Sequence, residues 1–347
     1  PGDDIIHGGN GPDYIDGQLG DDLLAGNEGE DVVLGGLGDD EIWAELDDDK
    51  LSGGHGKDTL VSRRDVAWLS LDPGSLVHRR SSGAPLSTFT LVDVFEVAHL
   101  FGGYQANRFE IDSWTSELYI WGAGGRDVLA VSGDMDMTLT DVNMGIIQTV
   151  FFYLANGFIK DAALILADGT TYHLGSLETV HLTGGPSANV LDASGYSRGT
   201  TLEGLGGNDW LLGGSGDDRF IYNANAGSNL GTDRVTGGAG FDTLDFSGTT
   251  VAGVYVHLGD TSGYVVNSNL SLLLGSNADL EAVIGGGGND ILIGNALDNL
   301  LIGGPGNDQL AGGPGDEVYA YDTDTNWGSD VITENAGEGN DTIDFSA

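Results

Sequence analysis

The sequence predicts an all-β fold, a parallel β-solenoid of short strands and tight turns. Three observations predict it: a strict nine-residue period, 60 glycines against seven prolines in 347 residues, and no helical periodicity sustained beyond about three turns.

The period comes first. Aspartates stand at 4, 13, 22, 31, 40, 49 and 58. Gly8, Gly17, Gly26, Gly35 and Gly53 keep phase with them, and Ala44 is the exception. Two residues after each aspartate comes an aliphatic residue: Ile6, Ile15, Leu24, Val33, Ile42, Leu51 and Leu60. Gly35-Gly36-Leu37-Gly38-Asp39-Asp40-Glu41-Ile42-Trp43 shows the whole unit, G-G-x-G-x-D-x-U-x, with U a large aliphatic. Its first six residues make a tight turn, where glycine permits positive φ and close backbone approach. Its last three make a very short strand with U pointing inward. Two such units complete one turn of a coil, so like loops stack on like loops.

Stacked loops bring backbone carbonyls and aspartate carboxylates face to face. Hard oxygen donors on a flexible loop suit Ca²⁺ better than Mg²⁺, which demands a stricter octahedron. The unit recurs over Gly204–Leu211, Gly213–Phe220 and Gly237–Leu244, and again from Gly285 to Tyr319. The candidate ligands are Asp13, Asp22, Asp31, Asp40, Asp49, Asp58, Asp127, Asp209, Asp218, Asp242, Asp290, Asp308 and Asp341. Loop carbonyls at Gly9, Gly11, Gly36, Gly38, Gly54, Gly56, Gly214, Gly216, Gly286, Gly288, Gly304 and Gly306 complete the set. Two loops per ion gives roughly ten calcium ions. Asn189, Asn299 and Glu317 replace the ligand aspartate, and Ala44-Glu45-Leu46-Asp47 lacks the glycines, so those sites are expected to be weak, empty or altered.

Charge supports the same chemistry. With 54 acidic against 12 basic residues, the formal net charge is -42. Such a chain repels itself unless cations neutralise it, yet 39% of it is hydrophobic, enough for a core. A polyanion of this density lacks the basic footprint that nucleic acid requires. Cysteine is absent, so a metal rather than a disulfide is the available staple.

The nonapeptide resembles that of the RTX (repeats-in-toxin), hemolysin-type calcium-binding proteins. The resemblance covers about half the chain. It implies a right-handed parallel β-roll with Ca²⁺ between stacked loops, export by type I secretion, and folding on meeting calcium outside the cell. Carboxylate repulsion would hold the metal-free chain open, so chelation or acid should melt the regular repeats first.

Five segments follow: RTX rolls at 1–61, 184–245 and 284–347, irregular solenoid or sandwich-like coils at 62–183, and a short β insertion at 246–283. Within 62–183 the nine-residue register is lost. Short alternating strands such as Glu117–Trp121, Asp127–Val131 and Ala163–Ala167 replace it. A longer repeat links the parts: Phe95-Glu96-Val97-Ala98-His99-Leu100, Leu177-Glu178-Thr179-Val180-His181-Leu182 and Leu280-Glu281-Ala282-Val283-Ile284, each followed by a Gly-Gly pair. Degenerate coils on one axis are the favoured architecture, separate domains the alternative.

Catalytic motifs are weak. Gly195-Tyr196-Ser197-Arg198-Gly199 fits a nucleophile pattern that needs a following helix, and here β-repeats flank it. The seven histidines form no H-E-x-x-H, and His99 and His181 occupy equivalent repeat positions, a structural slot. Phe151-Phe152-Tyr153-Leu154 reads as core. Lys50, Lys57, Arg63, Arg64, Arg79 and Arg80 gather half of the basic residues, read as local charge balance ahead of a docking patch.

The sequence shows no signal peptide, transmembrane run or initiating methionine, and both of its ends lie inside repeat-like sequence, so it reads as a piece of a longer protein. The expected role is a non-enzymatic, calcium-binding structural or adhesive module of a large secreted or cell-surface protein. The alternatives are the export and folding module of a secreted enzyme (protease, lipase or epimerase) and a carbohydrate-binding solenoid. Besides calcium, the expected partners are neighbouring copies or modules of the parent and surface glycans, with no nucleic acid and no membrane span.

Overall fold

A computed structural model describes residues 2–345 except 46–48, 64–67, 73–74, 80–84, 92–94, 103–105, 113, 115, 123–126, 134–136, 142–161, 167–170, 176–178, 277–278, 322–327 and 336–338. Among the described residues every regular element is a β-strand. Phe151–Leu154, Arg64, Arg80 and Glu178 lie outside them. The chain divides into two compact units, residues 1–132 with 141–180, and residues 133–140 with 181–347.

The first unit opens with seven strands: β1 (Ile5–Asn10), β2 (Tyr14–Leu19), β3 (Leu23–Glu28), β4 (Val32–Leu37), β5 (Glu41–Ala44), β6 (Lys50–His55) and β7 (Thr59–Arg63). Odd strands pair in parallel with odd and even with even, in the orders β1-β3-β5-β7 and β2-β4-β6. Ile6 faces Leu24, Ile15 faces Val33, and Val33 faces Leu51, so each turn consumes two nonapeptides, as the period predicts. The two sheets enclose one column of aliphatic side chains. Leu24, Val33, Ile42, Leu51 and Leu60 are wholly buried, and Ile15 nearly so.

These strands run longer than the three residues expected. Gly36 pairs with Gly54 and Leu37 with His55, so the sheet continues through the glycines. The cause is close stacking. Gly56 has φ +145, and a Cβ there would strike the carbonyl oxygen of Gly38 in the turn before. Only glycine lets identical loops approach that closely.

Beyond β7 the coil widens. Strands Val97–Phe101 and Glu117–Trp121 pair in parallel, as do Arg108–Asp112 and Val128–Ser132. The extra sequence goes into antiparallel strands. Trp68–Asp72, Ser75–Arg79 and Pro85–Leu91 form a meander, and Ala162–Leu166 returns along Thr171–Gly175. Among the described residues of 62–183, most strands pair in parallel and carry antiparallel additions.

The second unit repeats the plan with shorter strands. One parallel stack runs through Thr200–Glu203, Arg219–Ile221, Thr243–Asp245, Ala282–Ile284, Leu300–Ile302, Val318–Ala320 and Thr342–Asp344. Another runs through Val190–Gly195, Trp210–Leu212, Gly231–Thr236 and Leu270–Leu274, with Tyr264–Asn267 antiparallel to the last. A third sheet joins Tyr255–His257, Ile291–Ile293, Gln309–Ala311 and Val331–Ile332. Leu202, Leu211, Phe220, Val235, Leu244, Val283, Leu292 and Leu301 are wholly buried between them.

Candidate metal sites in the stacked loops

The sixth residue of each nonapeptide builds a ladder. Although charged, Asp22, Asp31, Asp40, Asp49 and Asp58 are at most 3% exposed. The Oδ1 of each accepts the backbone N–H of the aspartate one turn earlier: Asp4 to Asp22 at 2.7 Å, Asp13 to Asp31 at 2.8 Å, Asp22 to Asp40 at 2.9 Å, Asp31 to Asp49 at 2.9 Å and Asp40 to Asp58 at 3.0 Å. The second carboxylate oxygen has a different fate. In Asp13, Asp22, Asp31 and Asp40 it is buried and receives no hydrogen bond. It lies over the first glycine of its own loop, beside a carbonyl of the next turn. A Cβ added to Gly8 would meet Asp13 Oδ2 at 2.5 Å and the Gly26 carbonyl at 2.8 Å.

A buried carboxylate oxygen without a donor is costly unless it is neutralised or coordinates a metal. The titration behaviour reflects that cost. Burial pushes Asp40 up to about 6 against the Asp22 N–H that lowers it, and the neighbouring Asp58 and Asp22 charges raise it further. Asp242 rises to about 7, by burial and then by the charges of Asp218 and Glu281, with the Asp218 N–H opposing. Burial likewise raises Asp308 to about 6, and raises Asp218 and Asp290. The donors in these loops are all oxygens, from carboxylates and carbonyls. That set fits Ca²⁺.

The other expected ligands hold the same ladder position. Asp127 accepts the N–H of Asn107, Asp209 that of Asn189, Asp218 that of Thr200, and Asp242 that of Asp218. Asp290 accepts from Val254, Asp308 from Asp290, and Asp341 from Glu317 at 3.2 Å. The loop glycines divide into two groups. Gly36, Gly38, Gly54 and Gly56 stack on Gln18, Gly20, Gly36 and Gly38, while Gly304 and Gly306 stack on Gly286 and Gly288. Gly214 and Gly216 instead stack on Tyr196 and Arg198, and Gly286 and Gly288 on Thr249 and Ala252, outside the motif. Gly9 and Gly11 have positive φ and no neighbour within 4 Å of an added Cβ.

Asparagine at the ladder position closes the loop by itself. Asn189 Oδ1 accepts the Gly185 N–H at 2.7 Å. Asn299 Oδ1 accepts the Asn295 N–H at 2.7 Å, and its Nδ2 donates to the Glu281 carbonyl at 3.2 Å. Asp218 and Asp290 close their loops the same way, Oδ2 accepting the Gly214 N–H at 2.6 Å and the Gly286 N–H at 2.7 Å, but the amide does so without a charge to neutralise.

Several ladder members escape the nonapeptide pattern. Asp233 accepts the Asp209 N–H at 2.9 Å, and burial raises it to about 7. Asp330 accepts from Asp308 at 3.0 Å. Where the spacing breaks altogether, glutamates take over. Glu96 Oε2 accepts the Asp58 N–H and Glu281 Oε2 the Asp242 N–H, both at 2.8 Å. The longer repeat around Glu96 and Glu281 gave the available signal. A second, outer row is formed by the fifth residue of the unit. Asp21 N–H donates to Asp3 Oδ1, Asp39 to Asp21 and Lys57 to Asp39, and Phe241 N–H donates likewise to Asp217. Inner side chains reach back one turn and outer side chains reach forward, so each loop is tied to both neighbours.

The remaining singled-out residues take other places. Ser197 is exposed, and the strand Thr200–Glu203 follows it. His99 packs edge-on against Tyr119, ring centroids 4.8 Å apart. Arg63 lies over the Trp43 and Phe101 rings, 4.9 Å from each centroid. Among the described residues, no helix is long and apolar enough to cross a membrane.

Residues 1–33, 25–60, 194–227, 228–245 and 284–316 match the RTX calcium-binding nonapeptide repeat (4 copies). Over 84 residues, 24% of this chain, the sequence is 38% identical to Metalloprotease AprA of Pseudomonas entomophila (strain L48). The match spans only 17% of that protease.

Proposed function

We propose that this chain, which carries RTX hemolysin-type calcium-binding repeats over 1–60, 194–245 and 284–316, is a calcium-built, non-catalytic structural module of a larger protein that works outside the cell. The supporting observation is the ladder of buried aspartates, among which Asp22, Asp31, Asp40, Asp242 and Asp308 keep a second oxygen that receives no hydrogen bond. Asp13, Asp22, Asp31, Asp40, Asp49, Asp58, Asp209, Asp218, Asp242, Asp290 and Asp308 would supply carboxylate oxygen, and stacked glycine loops would supply carbonyl oxygen. A bound ion supplies the positive charge that lets adjacent turns close. Each site loaded at about a thousand times its dissociation constant stabilises the fold by roughly 4 kcal/mol. Extracellular calcium then acts as the folding signal, because binding free energy becomes folding free energy.

What the parent does with the module admits two readings. An adhesive or surface-spacing role follows from repeat runs and the absence of a catalytic constellation in the sequence. The similarity to a metalloprotease favours a second reading, the export and folding module of a secreted enzyme whose catalytic part lies elsewhere. A far-UV circular dichroism titration with calcium, and magnesium as control, tests the shared claim. A cooperative gain of β signal specific to calcium is the expected result. A chain equally folded in chelator would overturn it.

A further inference from the structure

We infer that Glu317, Glu334 and Asp341 form a cation site built from side-chain carboxylates alone, distinct in construction from the loop sites. The unit Gly312-Gly313-Pro314-Gly315-Asp316-Glu317-Val318-Tyr319-Ala320 keeps the glycine turn, with Gly313 at φ +95 and Gly315 at φ +151. Two substitutions change its chemistry. Glutamate holds the ladder position, and tyrosine holds the inward aliphatic one.

The longer acid places its methylene, not a carboxylate oxygen, over the first glycine. Its Cγ fills the space beside Gly312, and its Oε1 lies against Gly315. Glu317 is wholly buried, yet neither carboxylate oxygen receives an N–H or O–H donor. Tyr319, 1% exposed, accepts the Gly312 N–H at 2.7 Å and donates its hydroxyl proton to Glu334 Oε1. That hydroxyl fixes Glu334, a residue from outside the nonapeptide, in front of Glu317. Glu334 Oε2 is buried and also lacks a donor. From the next turn, Asp341 Oδ1 accepts the Glu317 N–H. One carboxylate oxygen from each of the three acids lies within 4.8 Å of the others.

Three converging carboxylates, one of them fully buried, can coexist only if protons or a cation neutralise them. The built pocket favours the cation. Tyr319 spends its single proton orienting Glu334, which leaves both Glu317 oxygens and Glu334 Oε2 buried without a donor. Oxygen-only ligands from a buried loop and two more exposed segments suit Ca²⁺ rather than Mg²⁺. Such an ion would pin the segments after Val331–Ile332 and before Thr342–Asp344 to the loop before Val318–Ala320. This site does not depend on whether the aspartate loops bind calcium.

The test is calcium equilibrium dialysis on the full chain at neutral pH, with far-UV circular dichroism as the folding control. Glu334→Gln and Asp341→Asn should each bind one ion fewer than the unaltered chain, with the other ions and the β signal retained. Tyr319→Phe should keep the stoichiometry while weakening that one ion by roughly 10–100-fold, the usual cost of losing a ligand-orienting group. Terbium(III) alone gives a second readout, since energy transfer from Tyr319 should fall in Tyr319→Phe. Full stoichiometry in both acid variants, or an unchanged terbium signal in Tyr319→Phe, would overturn the site and leave a proton-sharing cluster. Loss of every ion from the unaltered chain's loops, with this one retained, would instead contradict the calcium-built module.

Discussion

The run from β1 to β7 and the coils over Val97–Ser132 solve the same problem with different means. Both stack parallel strands turn on turn, at 18 residues per turn in the first and 20 in the second. In the first, a strand such as β2 buries one large aliphatic, Ile15, and its turn buries aspartate. In the second, each strand buries at least two apolar side chains: Val97, Ala98 and Leu100 in one, then Phe109 with Ile111, Leu118 with Ile120, and Leu129 with Val131. The ladder position there holds Asn107 as well as Asp127. A fully buried aliphatic contributes about 1.5–3 kcal/mol, so two per strand can support a coil that one cannot. The nonapeptide gives up part of that core for glycine turns and carboxylates, and on the proposed reading calcium supplies the difference. The wide coils keep their core, and the same reading expects them to need less metal.

The largest expected effect comes from breaking this division in the core. Leu51→Ala should cost about 2–5 kcal/mol, measured by denaturation in saturating calcium, and should vanish in chelator, where that run is already open. Leu118→Ala should cost a similar amount under both conditions. Equal behaviour of the two variants would show that the two regions fold by one means.

Acid should separate metal-free from metal-bound protein. In the folded, metal-free chain Asp40 and Asp308 stand near 6 and Asp233 and Asp242 near 7, above the ordinary 3.8. Folding therefore takes up protons, and these groups destabilise the fold as pH rises from about 4 through 7. In chelator, residual β structure should increase as pH falls through that window. With calcium the sign reverses, because protons compete for the ligands. The expectation that acid melts the repeats thus applies to the calcium-loaded form. Circular dichroism against pH in the two media should give opposite slopes.

A smaller effect tests the amide. Asn299→Asp removes the Nδ2 donor to the Glu281 carbonyl. It should cost about 1–3 kcal/mol in chelator and recover part or all of that in calcium, with one more ion bound. An unchanged ion count would mean that the neighbouring loop cannot complete a site there.

What the sequence revealed and what it hid follow from how each contact is specified. Fixed spacing specifies Asp22 above Asp4 and Leu51 above Val33, so the core and inner ladder of the regular run were legible by counting. Counting fails where a turn takes in extra residues. The Asp58–Glu96 and Asp242–Glu281 contacts span 38 and 39 residues, and only the folded chain brings those glutamates into line. Asp233 and Asp330 were missed for the same reason. The outer row at Asp3, Asp21 and Asp39 was periodic all along, but its side chains are exposed and its hydrogen bonds point to backbone, which residue type alone does not disclose. Antiparallel additions such as Trp68–Arg79 replace register by hairpin geometry and leave no period to read.

The central claim is that calcium holds together the nonapeptide turns while apolar packing holds the wider coils. Hydrogen exchange resolved by peptide, in calcium and in chelator, tests it most directly. The account predicts that amides of β1 to β7 lose their protection in chelator, while those of Arg108–Asp112, Glu117–Trp121 and Val128–Ser132 keep most of theirs. Protection that persists in β1 to β7 without calcium, or that collapses equally in both regions, would contradict it.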